Sequence, residues 1–350
     1  MAILDSPILL FCSERSGSNL ITKIFDAHSL VCAPSPAHLF NIMSDVADRY
    51  PSGTDELRNA LITLFRAKVS SWTIDAYSDT RLGKLLSPLQ SPGAMAAALY
   101  RAEMESLSKT NILIKENSAF GYLSMIRDQS VTLQIIFMVR DPRDMALSWK
   151  TGPVMRGGVV RAARRWRHDQ EGYLRSIAQL PDNIRVSFLR YEDLLNTPSQ
   201  ELCRVCSEMK LPFEENMLDF SSVSSSAHAN AFRSSMWRNL NRGILTENAG
   251  KYASKLDAND VAYIEAITNP YMNAMGYQTV TPTDAPFGHF SNFVDLEAHL
   301  LEREPYDKHS YTKLSKSERD RFENWSQLTA KMRGRPLILP KHFIASQSSI

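Results

Sequence analysis

This sequence predicts an α/β fold: a parallel β-sheet flanked by helices on both faces, with a C-terminal extension. Three observations carry that reading. Four short runs rich in apolar residues, Ile8 to Cys12, Asn111 to Lys115, Leu133 to Val139 and Ile184 to Leu189, have the length and bulk of buried strands. Stretches with helical spacing separate them, the order expected of a parallel sheet covered on both faces. A turn of small and polar residues, Ser13 to Asn19, joins the first run to the first helical stretch. The 350 residues suffice for one large domain with additions, or for two domains.

In chain order, the first helix is expected from about Gly17 to His28, because Leu20, Ile21, Ile24 and Phe25 recur at helical spacing. Val31 to Phe40 contains Pro34 and Pro36 and reads as irregular. Asn41 to Arg66 is helical in pattern, broken at Pro51-Ser52-Gly53. Ser70 to Pro92 reads as loop or short pieces, and Ala94 to Lys109, rich in Ala, Met and Leu, as a helix. Asp141 suits a helix cap and Pro142 the first turn behind it. From Arg156 to His168, Arg161, Arg164, Arg165 and His168 share one helical face and Val159, Ala163 and Trp166 another, a solvated face over a core stripe. Further helices are expected over Ser199 to Met209, Asp257 to Met275, Asp295 to Glu302 and Ser315 to Met332.

Composition narrows the classes of function. A net charge of +2, from 40 Lys and Arg against 38 Asp and Glu, carries no nucleic-acid signal. No apolar run approaches the ~18 residues of a membrane span, and the N-terminal run lacks the basic lead of a secretory signal. Four cysteines are too few for a disulfide framework, and Cys203-x-x-Cys206 stands without a second pair, so no metal site is expected. A reducing, cytoplasmic setting fits this usage.

Ligands of open parallel sheets sit beyond the carboxyl ends of the strands. After the first strand comes Arg15-Ser16-Gly17-Ser18-Asn19, a turn that brings backbone N–H groups and the positive end of a helix dipole to one point, where an anion is favoured. The nucleoside triphosphate pattern G-x-x-x-x-G-K-[ST] is absent there. After the third strand comes Arg140-Asp141-Pro142, with Ser148 eight positions beyond the arginine.

These two segments together resemble the 5′-phosphosulfate loop and the 3′-phosphate signature of the sulfotransferases that use 3′-phosphoadenosine-5′-phosphosulfate (PAPS), in their bacterial, P-loop-like form. Phe188 to Leu194 resembles the family's Tyr-Glu-Asp stretch, and Arg242-Gly243 with Gly250-Lys251-Tyr252 a degraded form of its late phosphate loop. The likeness covers about residues 6 to 278, so residues 1–280 are expected to form the sulfotransferase domain and 281–350 an extension that serves as lid, wrap or interface.

The resemblance implies a PAPS site made of Arg15, Ser16, Gly17, Ser18, Asn19, Arg140, Ser148, Tyr191, Arg242 and Gly243. Arg140 and Ser148 would meet the 3′-phosphate and Tyr191 would lie near the adenine. It implies sulfuryl transfer to a hydroxyl with no metal. Arg15 and Lys115 would stabilise the transferring group. The family's histidine base after the second strand is replaced by Asn117 in Lys115-Glu116-Asn117, and Pro36 stands where other relatives have a glutamate. Glu116 and His38 are left as candidate bases, Glu116 ahead by a narrow margin. The acceptor is open among small-molecule, glycan and lipid hydroxyls, and a homodimer is compatible. Two other readings stay on the table: a catalytically silent nucleotide-binding protein of this fold, and a P-loop-like small-molecule kinase.

Overall fold

The computed structural model describes residues 3–224, 230, 242–305 and 314–335. Asn241 and the parts of the extension at 306–313 and 336–350 lie outside them. Five strands, β1 (Ile8–Phe11), β2 (Val31–Cys32), β3 (Asn111–Lys115), β4 (Gln134–Val139) and β5 (Arg185–Arg190), form one parallel sheet in the order β2-β3-β1-β4-β5. The chain leaves β1 toward one edge, returns through β3, then crosses to β4 on the other side. The carboxyl end of β1 is therefore the switch point of the sheet, where open α/β sheets bind ligands.

The helices are α1 (Ser18–Asp26), α2 (Leu39–Val46), α3 (Asp55–Ala67), α4 (Asp79–Leu86), α5 (Pro92–Ser106), α6 (Leu123–Arg127), α7 (Pro142–Lys150), α8 (Gly158–Ile177), α9 (Tyr191–Asn196), α10 (Pro198–Glu208), α11 (Phe220–Val223), α12 (Tyr252–Lys255), α13 (Ala258–Ala274), α14 (Phe293–Arg303) and α15 (Lys316–Arg333). Alternate strand residues enter two separate cores: Leu9, Phe11, Ile114 and Ile135 pack under α2, α5, α7 and α8, and Ile8, Leu10, Leu113 and Ile136 under α1 and α10. Burial on both faces is why β1 reads as an unbroken apolar run.

Two elements depart from the sequence expectation. β2 lies inside the segment read as irregular; two residues paired to Asn111 and Ile112 are too few to leave a period. Within the stretch read as loop or short pieces, a two-turn helix, α4, forms because the Ser78 side chain accepts from Arg81 N and Leu82 and Leu86 are buried one turn apart. Asp141 does cap α7, accepting from Arg143 N, with Pro142 at the first position.

Helix α8 is fastened to the strand ends by three side chains. Trp166 Nε1 donates to Arg140 O (3.0 Å), Gln170 Nε2 to Ser13 Oγ (2.9 Å) and Tyr173 OH to Cys12 O (2.9 Å). Its basic face is less solvated than expected: Arg164 pairs with Glu297 of α14 at 2.6 Å, and Arg165 bonds Asp169 (2.9 Å) and Ser118 (2.6 Å).

Arg143 is the buried knot between α7 and α13. Its guanidinium meets Asp141 at 2.6 Å and Glu265 at 2.7 Å and donates to Gln278 O, while Glu265 also accepts from Val280 N and Thr281 N. Arg143→Met strands two buried carboxylates, so it is expected to cost about 3–5 kcal/mol of unfolding free energy. Urea denaturation checks this; a loss below about 1 kcal/mol would mean the pair is dispensable.

Candidate active site

The turn after β1 is shaped by two left-handed residues, Arg15 (φ 66) and Gly17 (φ 87). A Cβ at Gly17 would stand 2.3 Å from the Tyr191 ring, so only glycine lets that ring close on the turn. The N–H groups of Ser18 and Asn19 precede the first intrahelical bonds of α1 and face out of its N-terminus. Ser16 Oγ is buried without a hydrogen-bond partner.

Arg140, at the end of β4, is 8 % exposed. Its Nη1 donates to Arg15 O (3.0 Å), its Nη2 to Asn248 O (2.7 Å), and its guanidinium lies 4.5 Å from the Tyr191 ring centre. Its Nε is buried and unpartnered. Arg15 Nε donates to Ser148 Oγ at 3.1 Å, across 133 residues. Burial, then the nearby charge of Arg140, push Arg15 below its usual value, and the Glu14 carboxylate opposes them.

The late loop is held by a residue that sequence reading passed over. Asp144 accepts from Gly250 N (2.6 Å) and Tyr252 N (2.8 Å), and Arg143 stacks 4.2 Å from the Tyr252 ring. Lys251 Nζ donates to Asn248 Oδ1 (2.7 Å). Asp144 sits in the conspicuous Arg140 to Ser148 segment, and a carboxylate in a helix's first turn was the available signal. The cavity between these elements, about 580 Å³, is walled by Gly17, Arg140, Ser148, Tyr191, Gly243 and Lys251. Arg242 is exposed and is not among its walls.

A second cavity, about 200 Å³, opens on the other side of the turn, and the two share Arg15, Ser18 and Asn19. Its polar wall holds Glu14, His38, Lys115 and Asn117. Lys115 Nζ donates to Asn117 Oδ1 (3.0 Å), and Asn117 Nδ2 donates to Glu14 Oε1 (2.7 Å). Burial holds the Lys115 ammonium below its usual value. His38 adopts a left-handed conformation (φ 53) at the start of α2, and its ring makes no hydrogen bond to a described residue. Burial, then the charges of Lys115 and Arg333, push its imidazole down to about 3.

Glu116 is turned away from both cavities. Fully buried, it accepts from Phe40 N (3.0 Å), Asn41 N (2.8 Å) and Tyr100 OH (2.7 Å), and so caps the start of α2. Alternation along the end of β3 sends Lys115 and Glu116 to opposite sides, a consequence the neighbouring positions in sequence conceal.

A profile of the sulfotransferase family matches residues 7–215. The chain belongs to the sulfotransferase family. Among solved structures, the sulfotransferase domain from the curacin biosynthetic pathway superposes with a TM-score of 0.57 at 18% identity, over 79% of this chain and 99% of that one. The sulfotransferase domain from the Synechococcus PCC 7002 olefin synthase gives 0.57 at 17% identity, over 79% and 97%. Both likenesses speak to the fold. A comparison with curated protein sequences finds no match. Among the described residues of this sulfotransferase, no helix is long and apolar enough to cross a membrane, and no cluster of His, Cys, Asp or Glu is suited to a metal.

The low value of His38 has a readable consequence. The folded protein refuses a proton that the unfolded chain accepts near pH 6.5, so stability present above that pH is lost as pH falls toward 3. Between pH 7 and pH 5 the contribution amounts to up to about 2 kcal/mol. His38→Gln is expected to show a smaller fall in urea midpoint between those pH values than the wild type; identical falls would assign the acid sensitivity elsewhere.

Proposed function

We propose that this protein moves a sulfuryl group from PAPS to an acceptor hydroxyl. The observation that carries the reading is the meeting of two cavities at Arg15, Ser18 and Asn19, one lined by phosphate-binding groups and the other by a histidine and a lysine. PAPS fits the donor side on the chemistry of the walls: two guanidiniums, two ammoniums, a helix N-terminus, and a buried Arg140 Nε that lacks a partner, with the unpartnered Ser16 Oγ in the adjoining turn. When bound, it supplies an activated sulfuryl group and a good leaving group.

In this reading Arg140, Ser148 and Lys251 hold the 3′-phosphate, and the Ser16 to Asn19 turn holds the 5′-phosphate. Tyr191, pinned against Gly17 and Arg140, flanks the adenine. Arg242, exposed beside the late loop, has the weaker claim. The acceptor oxygen bonds to sulfur as the bond from sulfur to the 5′-phosphate oxygen breaks. Arg15 and Lys115 offset the negative charge that grows on the bridging oxygen.

The acceptor proton needs a base, and we assign it to His38. The ring lies on the wall of the acceptor cavity with no hydrogen-bond partner among the described residues, while the carboxylate of Glu116 is already occupied by three donors. An imidazole held neutral is ready to accept a proton. Burial is the larger cause of its low value; an anion arriving beside Lys115 counters the positive charge that adds to it and so raises its basicity.

Calorimetric titration with adenosine 3′,5′-bisphosphate is the direct check on the donor. Micromolar binding is expected, weakened by about 1.5–3 kcal/mol in Arg140→Ala; tighter binding of ATP with magnesium would favour a kinase instead. With an acceptor in hand, His38→Gln is expected to lower kcat by about 10²–10⁴-fold. Glu116→Gln should instead act mainly on stability. Bisphosphate binding without turnover of any acceptor would point to the silent nucleotide-binding reading.

A further inference from the structure

The acceptor cavity is completed by the C-terminal extension, a segment that lies beyond the matched family region. Helix α15 presents Phe322 and Trp325, three positions apart and so on one helical face, to the cavity that His38 also lines. Its far end is anchored to α2, the helix that His38 begins: Arg333 pairs with Asp45 at 2.6 Å and donates to Asn41 Oδ1 at 2.7 Å, and Met332 is buried. Leu314, just before α15, packs with Phe322 and with Val154 of the loop after α7. The extension thus bridges the two segments that flank the cavity mouth.

The walls divide by chemistry. Charged and polar groups come from the turn after β1, from His38, Lys115 and Asn117, and from Lys68, which is paired with Asp75, and the apolar side of the lining comes from Pro36, Val69, Val154, Met155, Phe322 and Trp325. A sugar carries hydroxyls around its whole ring, and each one buried against that side would lose its water partners without replacement. An apolar body gains from the same surface, and an aromatic one gains most beside two aromatic rings.

We propose that α15 is the specificity wall of the acceptor site, with Phe322 and Trp325 selecting an acceptor whose hydroxyl is carried on an apolar, aromatic-sized body. This rests on the assignment of that cavity to the acceptor. The hydroxyl points to His38, which takes its proton as the oxygen gains the sulfuryl group and the bisphosphate departs. The apolar body lies between Met155 and the two rings.

The test uses the full chain with adenosine 3′,5′-bisphosphate and two probes, 2-naphthol and N-acetylglucosamine, by calorimetry, then turnover with labelled PAPS. Binding of 2-naphthol is expected, with N-acetylglucosamine at least tenfold weaker. Phe322→Ala and Trp325→Ala should each weaken 2-naphthol tenfold or more while bisphosphate affinity stays within twofold. Trp325→Phe, which keeps an aromatic face and guards against a folding defect, should recover most of the loss. The proposal is overturned if the sugar binds as well as 2-naphthol, if the alanine variants leave 2-naphthol unchanged, or if they weaken the bisphosphate equally. Should 2-naphthol bind in a manner that depends on Trp325 while the bisphosphate does not bind at all, the wall stands and the PAPS reading falls.

Discussion

The site depends on one buried guanidinium. Arg140 leaves the end of β4 and touches the Arg15 carbonyl, the Asn248 carbonyl and the Tyr191 ring, so a single side chain ties the first turn, the late loop and the start of α9 to the sheet. Taking a cation out of water is costly unless its donors are satisfied, and here they are satisfied by neutral carbonyls and a ring face. Its remaining donor, Nε, has none. A second guanidinium, Arg15, stands beside it. Two guanidiniums this close repel one another, and an anion bound beside them would relieve that repulsion.

The surrounding architecture keeps that arrangement from collapsing. Helix α8 grips the exits of β1 and β4 through Trp166, Gln170 and Tyr173, fixing the spacing between the turn and Arg140. Carboxylates are used as fasteners at the margin of the site. Asp144 is spent on the backbone of the late loop, Glu116 on the start of α2, and Asp141 and Glu265 on Arg143. These carboxylates are engaged in scaffolding, and Arg15, Arg140, Lys115 and Lys251 line the cavities. The same bias keeps His38 neutral, because Lys115 and Arg333 oppose a third positive charge between them.

Much of this was legible in the residues. Apolar runs marked four of the five strands, and Asp141-Pro142 marked the start of α7. Arg15 to Asn19, Arg140 and Ser148 were singled out from their order along the chain, and the fold brings them together, with Arg15 bonded to Ser148. β2 escaped because a two-residue strand has no period. The different surroundings of Glu116 and His38 escaped because they turn on which way a side chain leaves the backbone after β3, and adjacent residues there face opposite sides.

The sequence by itself determined the class of fold, the positions of the small-residue turn after β1 and of Arg140 at the exit of β4, and the family to which they belong. These are local features: buried strands need apolar runs, and helix starts need particular residues at particular offsets. Tertiary structure alone decided which carboxylates are fasteners and that His38 lines the second cavity while Glu116 does not. It also decided that Phe322 and Trp325, some three hundred residues from Arg15 in the chain, form a wall of the same cavity. Such juxtapositions depend on how helices pack across the sheet, and no spacing along the chain records them.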